Sequence, residues 1–228
     1  MTSDERWLAE MWPFVRAQLP GAPATALEIG CGPLGGFVPA LQEAGYDAVG
    51  VDPEAPHGQC YHQVEFERYE VPRPVDAVIA CTSLHHVADL EVVLDRVERA
   101  LVPGGTLVVI EWAHELFDEP TARWCFARLA PAASRGDHSW LLAHRDEHAA
   151  SGQSWDAYCR RWVEQEGLHT GEEIVRGLDA RFDRRSRTNG PYFFADLDGV
   201  SQADEQAAID SGRIQATGIR YTGTRRPS

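Results

Sequence analysis

The chain has 228 residues, the length of one large domain or of one domain carrying an insertion. Hydrophobic residues at 43% and charged residues at 25% allow a sizeable core and argue against disorder of the whole chain, while no apolar run approaches the ~18 residues needed to cross a bilayer. The net charge of −14 resides mostly in residues 1–113, where 6 arginines face 17 acids; such a surface repels a phosphate backbone, so neither a nucleic-acid nor a membrane partner is expected.

Every one of the 21 basic residues is arginine. A chain without lysine supplies no Walker A lysine, no Schiff-base lysine for pyridoxal phosphate and no Tyr/Lys reductase pair. The five cysteines (Cys31, Cys60, Cys81, Cys125, Cys159) are odd in number and never closer than 21 residues, which excludes CxxC knuckles and argues against a disulfide framework. The amino terminus opens with acids instead of a basic region and an apolar core, so a cytoplasmic location is expected.

Trp7, Leu8, Met11, Val15 and Leu19 fall near helical spacing behind Ser3 or Asp4, predicting an amphipathic helix within residues 1–20. Pro20, Gly21 and Pro23 break it, and Ala26 to Ile29 makes a short apolar strand running into Gly30-Cys31-Gly32. A helix from Gly35 to Ala44 and a strand over 47–52 ending on Asp52 follow. Pro53, Pro56 and Gly58 then leave room for about one turn before a third apolar segment, Tyr61 to Phe66. Val75 to Cys81 is the strongest strand signal in the chain, and apolar positions 90, 93, 94, 97 and 101 predict a helix that Pro103-Gly104-Gly105 ends. Thr106 to Trp112 is the fifth strand.

Residues 113–180 change character. Trp124, Phe126, Trp140, Trp155, Tyr158 and Trp162 recur at helical spacings, with start signals at Asp118, Ser154 and Thr170, predicting three or four helices inserted after strand five as a lid. Arg181 to Arg187 and Gln215 to Thr224 read as two closing strands around a capped helix from Ser201 to Ser211. Alternating helices and continuously apolar strands imply an α/β architecture: a doubly wound, mostly parallel sheet covered on both faces. Ligands of such sheets lie beyond the carboxyl ends of the strands. That rule gathers Gly30 to Gly36, Asp52, Phe66, Cys81 to His86 and Trp112 around one crevice.

The segment Glu28-Ile29-Gly30-Cys31-Gly32-Pro33-Leu34-Gly35-Gly36 resembles motif I of class I S-adenosylmethionine-dependent methyltransferases of the small-molecule type. Thr82-Ser83-Leu84-His85-His86-Val87 after strand four and the Leu-x-Pro-Gly-Gly turn at 101–105 extend the resemblance, as do Glu205-Gln206-x-Ala-Ile-x-x-Gly212 and Gly218-Ile-x-Tyr221 near the end. It implies a seven-stranded Rossmann-like methyltransferase fold over residues 1–228 and S-adenosylmethionine as cofactor. It further implies that Gly30, Cys31 and Gly32 carry the methionine and ribose portion, with Glu28 beneath the loop and Asp52 and Pro53 at the ribose. Glu65 and Phe66 fall at the adenine, and Cys81 and Thr82 after strand four. The pattern Gly30-x-Gly32-x-x-Gly35 also satisfies a dinucleotide fingerprint, but Pro33 removes a backbone N–H that a pyrophosphate would use.

Methyl transfer from a sulfonium is an in-line displacement in which alignment in a water-poor pocket does most of the work. A nucleophile with a proton to lose also needs a base near neutral pKa, for which His85 and His86 are the candidates. Trp12, Trp112, Trp140 and Arg181 are the candidate contacts for a small-molecule acceptor. His144 and His148 are four apart, but their order lacks the HExxH arrangement, and no metal is expected. Two alternatives remain open: an enzyme that cleaves or cyclises the cofactor to release methylthioadenosine, and a cofactor-binding partner without turnover.

Overall fold

The computed structural model describes residues 1–129 and 140–227, so residues 130–139 of the expected helical insertion lie outside the described residues. Seven strands form one sheet in the order β3-β2-β1-β4-β5-β7-β6, with β1 Thr25–Ile29, β2 Asp47–Val51, β3 Tyr61–His62, β4 Val75–Cys81, β5 Leu101–Trp112, β6 Phe182–Gly190 and β7 Gly218–Arg225. The first five strands pair in parallel, and β7 runs antiparallel between β5 and β6. The expected doubly wound, mostly parallel sheet is therefore observed. Chain order reverses between β1 and β4, and a ligand crevice belongs beyond the carboxyl ends of these two strands.

The helices are α1 Ser3–Gln18, α2 Val38–Glu43, α3 Leu90–Ala100, α4 Glu119–Phe126, α5 Trp140–Ser151, α6 Trp155–Glu166, α7 Gly171–Arg181 and α8 Gln202–Asp210. Alternate residues of the central strands feed two cores. Ile79, Val108 and Ile110 pack on the side of α1, α2 and α4 to α6, whereas Val78, Ala80, Leu107 and Val109 pack on the side of α3 and α7. Burial on both faces is why β4 reads as an unbroken apolar run. The expected starts at Asp118 and Ser154 each accept a first-turn N–H, and those at Thr170 and Ser201 form capping boxes with Glu173 and Asp204. The first helix is capped by Thr2, in a capping box with Glu5, instead of by Ser3 or Asp4, which lie inside it, and Asp89 caps α3.

Several boundaries differ from expectation: α2 begins at Val38 instead of Gly35, and β7 at Gly218 instead of Gln215. The third strand shrinks to Tyr61–His62 because only Gly50 and Val51 of β2 offer it partners; the chain then coils into a 3₁₀ turn at Phe66–Arg68. Pro103-Gly104-Gly105 does not separate α3 from β5. The strand starts at Leu101, paired with Val75, and the next partners are Ala77 and Thr106, so the residues between Leu101 and Thr106 loop out as a bulge with Gly104 at φ +77°. A bulge tolerates a proline that has no N–H to give the ladder. Arg181 is the last residue of α7, and β6 begins at Phe182.

Candidate active site

The site begins where β1 stops. Gly30 (φ +76°) turns the chain, its N–H donating to the Val51 carbonyl at 2.8 Å, and a Cβ there would collide with Ser83. Gly32 (φ +61°) has no heavy atom within 4 Å of where its Cβ would stand, so its open side faces the crevice. Glu28 lies buried beneath this loop, with Oε2 accepting the Phe37 N–H at 2.7 Å. Burial pushes the Glu28 carboxyl up to about 8, outweighing the backbone bonds from Phe37 and Val38 that pull it down. Burial likewise pushes the Cys31 thiol up to about 12, which makes it a packing group and no nucleophile.

Three hollows meet at Thr82, which lines all of them. One of about 660 Å³ is walled by Gly30, Gly32, Asp52, Pro53, Glu65 and Phe66. A second, about 290 Å³, lies over the glycine loop, with Cys31 and Cys81 in its floor and Asp4 and Trp7 of α1 above. The third, about 430 Å³, is walled by His85, His86, Trp112, Trp140, Trp162 and Tyr192. Thr82 itself stands at φ +51°, a left-handed conformation that a β-branched residue rarely adopts, so the fold holds strain at the point where the hollows join.

The structure thus brings together Glu28, Gly30, Cys31, Gly32, Asp52, Pro53, Glu65, Phe66, Cys81, Thr82, His85, His86, Trp112 and Trp140 along one crevice. Phe66 contributes little surface: it is 5% exposed and carries Arg96 over its ring at 5.8 Å. Two of the expected acceptor contacts lie elsewhere. Arg181 bonds Asp95 at 2.6 Å and Glu91 at 2.8 Å, tying α7 to α3 on the far face, because its place at a helix end puts two acids of α3 within reach. Trp12 stacks on Phe37 with centroids 6.1 Å apart and packs α1 onto α2.

The histidines differ sharply. The His85 ring is buried, and its Nδ1–H donates to Glu111 Oε2 at 2.6 Å. Glu111, fully buried at the end of β5, also accepts the N–H groups of Ser83 (2.8 Å), Leu84 (2.6 Å) and Trp112 (3.1 Å). Burial would raise this carboxyl, but the His85 imidazole and the hydrogen bonds prevail and hold it below its ordinary value. An ionised carboxylate at Nδ1 fixes the tautomer and leaves Nε2 as the acceptor. His86 lies 4.1 Å from His85, centroid to centroid; the crevice walls and that neighbouring imidazole push it down to about 4.

Sequence reasoning missed Glu111, Tyr192 and Asp196, and it named Glu205 in the closing pattern without giving it a role. The carboxylate of Glu205 is buried in α8 and accepts three successive backbone N–H groups, of Tyr192 (2.8 Å), Phe193 (3.2 Å) and Phe194 (2.6 Å), so it sets the loop that brings Tyr192 to the crevice. Each of Glu111 and Glu205 left one local sign, an acid set among residues that the fold buries. Tyr192 and Asp196 left none, since their partners Trp112 and Trp140 stand far away in sequence.

The comparisons agree with this geometry. The methyltransferase-domain family matches residues 5–169, well over half of the chain. Among solved structures, an S-adenosylmethionine-dependent methyltransferase from Mesorhizobium loti superposes with a TM-score of 0.56 at 16% identity, covering 94% of this chain and 97% of that one. The N-methyltransferase NodS from Bradyrhizobium japonicum in complex with S-adenosylhomocysteine gives 0.51 at 14% identity, covering 98% and 88%. Geranyl diphosphate C-methyltransferase from Streptomyces coelicolor gives 0.54 at 16%, covering 95% and 76%. At such identities these likenesses establish the fold alone. Among curated proteins, none matches by sequence. With its sheet, glycine loop and family match together, the chain belongs to the methyltransferase-domain family.

Proposed function

We propose that this protein transfers a methyl group from S-adenosylmethionine to a small-molecule nucleophile, with residues 1–228 acting as one catalytic domain in the cytoplasm. The carrying observation is Thr82, a wall shared by the glycine-loop hollow, the Asp52 hollow and a third, aromatic one. The cofactor fits these residues: Gly32 leaves space for a flat ligand, and the half-buried Asp52 gives Oδ1 to the Glu54 N–H at 2.7 Å, keeping acceptor capacity for ribose hydroxyls. Asp52 and Pro53 would hold the ribose, Glu65 and Phe66 the adenine, and the 30–32 loop with Cys81 and Thr82 the methionine portion. When bound, the cofactor supplies an electrophilic methyl group on a sulfonium.

The chain's own residues do the rest. The aromatic walls exclude water, and Trp112 and Trp140 orient the acceptor. His85 takes the acceptor's proton at Nε2, with Glu111 as the positioning residue that turns this nitrogen toward the chamber. His86 is a poor proton acceptor near neutral pH because its imidazole is held near 4, whereas an efficient base titrates close to the working pH. The reading is tested by calorimetry with S-adenosylhomocysteine on wild type and Asp52→Ala. Loss of a charge-assisted pair of hydrogen bonds should weaken binding by roughly 10–100-fold. Equal affinity in the two proteins would remove the cofactor assignment.

A further inference from the structure

Outside the crevice, a further hollow gathers positive charge within the acidic half of the chain. It holds about 250 Å³ and lies between the loop of residues 70–74 and the last turn of α3. Three of the residues that line it are arginines, Arg73, Arg96 and Arg99, which is half of the six arginines in residues 1–113. Phe66, Pro72 and Pro74 supply apolar wall, and among the described lining residues Glu70 is the one acid. A molecule of net charge −14 repels anions over most of its surface, so such a concentration of arginine marks a place where one can be held.

The protein itself makes little use of these guanidinium groups. Arg99 is exposed and, among the described residues, has no hydrogen-bond or ion-pair partner. Arg73 meets Asp47 at 3.4 Å with both side chains 73% exposed, and Glu70 stands 3.8 Å from Arg96 with its side chain 94% exposed. Pairs so open to water contribute little, and a more highly charged anion displaces them. Arg96 is held in place: Nη2 donates to the Tyr69 carbonyl, and the group lies over the Phe66 ring at 5.8 Å. Its Nε–H is nevertheless buried without an acceptor, a state that folded proteins rarely leave. The negative end of α3 accounts for a basic residue in its last turn, Arg99. It does not account for Arg73, which reaches the same hollow from another segment, between two prolines.

We propose that this hollow binds the phosphoryl group of a small phosphate monoester, at a site separate from the crevice. Three guanidinium groups against Glu70 leave two positive charges, which matches a phosphate monoester carrying about −1.5 to −2 at neutral pH. Arginine presents paired N–H donors whose spacing fits phosphate oxygens, and three arginines from two segments suit a tetrahedral group better than a flat carboxylate of single charge. The volume is below the range of about 300–1,000 Å³ typical of sites for larger ligands, so the esterified part is small, and Pro72 and Pro74 offer it apolar contact. This hollow and the Asp52 hollow have only Phe66 in common, so its occupancy does not depend on the cofactor assignment.

The test is calorimetric titration of the intact protein, at constant ionic strength, with glycerol 3-phosphate, inorganic phosphate and malonate. The ester should bind saturably with a dissociation constant of about 1 mM or lower. Inorganic phosphate should bind no more tightly than the ester, and malonate, whose two charges sit on separate carboxylates, at least tenfold more weakly. Arg99→Glu changes an exposed side chain without protein partners, so the fold is kept, and should weaken the ester at least tenfold; Arg73→Gln should weaken it several-fold. Arg213→Glu makes the same change of net charge at an exposed residue outside the hollow and should leave the affinity within about twofold. Absence of saturable binding, tighter binding of free phosphate than of the ester, malonate equal to the ester, unchanged affinity in Arg99→Glu, or an equal loss in Arg213→Glu would overturn the proposal.

Discussion

Glu28 is 1% exposed, and its carboxyl is pushed up to about 8 from an ordinary value of 4.5. Between these limits the folded protein keeps a proton that the unfolded chain has released. Its contribution to stability is therefore whole below about pH 4.5 and is lost as pH rises through 8, at no more than about 1.4 kcal/mol per unit. Glu28→Gln preserves an acceptor for the Phe37 N–H and abolishes the titration. Urea melts from pH 5 to 8.5 should show the variant gaining on wild type as pH rises, and parallel curves would mean that Glu28 is ionised throughout. Glu111 works in the opposite sense, held ionised by His85 and three N–H groups. Glu111→Gln puts an amide where four donors converge and disturbs the His85 tautomer. Turnover should fall about 10²-fold or more with a displaced pH profile, while S-adenosylhomocysteine binding stays within about twofold; a drop in binding equal to the drop in turnover would assign Glu111 to scaffolding alone. The glycine loop and Asp52 were legible in sequence because backbone curvature and strand-end position are local properties. The Glu111–His85 pair was half legible: the histidines follow a strand, but only the alignment of β4 with β5 shows which of them meets a carboxylate.

At the scale of elements, helices were read more accurately than the ends of strands. Caps and apolar periodicity lie within a few residues of each other, so α6, α7 and α8 start where Ser154, Thr170 and Ser201 place them, and α1 and α3 fall close to where their apolar spacing places them. The length of β3 and the bulge in β5 depend on what the neighbouring strand offers, which no local pattern records. The same holds for the loop between β6 and α8, whose course is set from α8 by Glu205. Glu205→Ala would leave three buried N–H groups without their acceptor and should cost about 3–5 kcal/mol in urea unfolding. Amide exchange at residues 192–194 should accelerate ahead of the sheet, as local opening requires. If exchange there stayed as slow as in β4, Glu205 would not be what fixes Tyr192 at the crevice.

Across the whole molecule, the crevice is completed by segments nearly two hundred residues apart. The Arg6 guanidinium donates to the carbonyl of Leu197, at 3.3 Å, and to that of Val200, while Trp7 and Trp12 of the same helix rest on Phe37 after the glycine loop. Helix α1 thereby joins the loop before α8 to the floor of the crevice, with Asp4, Trp7 and Leu8 closing the hollow above Gly32. The periodicity of residues 3–19 announced the helix but not its docking, because two backbone carbonyls carry no sequence signature. If the cofactor lies under α1 as proposed, its release would require this contact to open, and the strength of the contact should appear in the dissociation rate more than in the association rate. Arg6→Ala removes hydrogen bonds from a charged donor at a half-buried site, worth about 1 kcal/mol here, and should raise the rate of S-adenosylhomocysteine dissociation about fivefold. Stopped-flow fluorescence would follow it, with Trp7 as the reporter within the moving helix. An unchanged dissociation rate, with weakened binding in Asp52→Ala, would place the exit of the ligand on the Asp52 side of Thr82 instead of beneath α1.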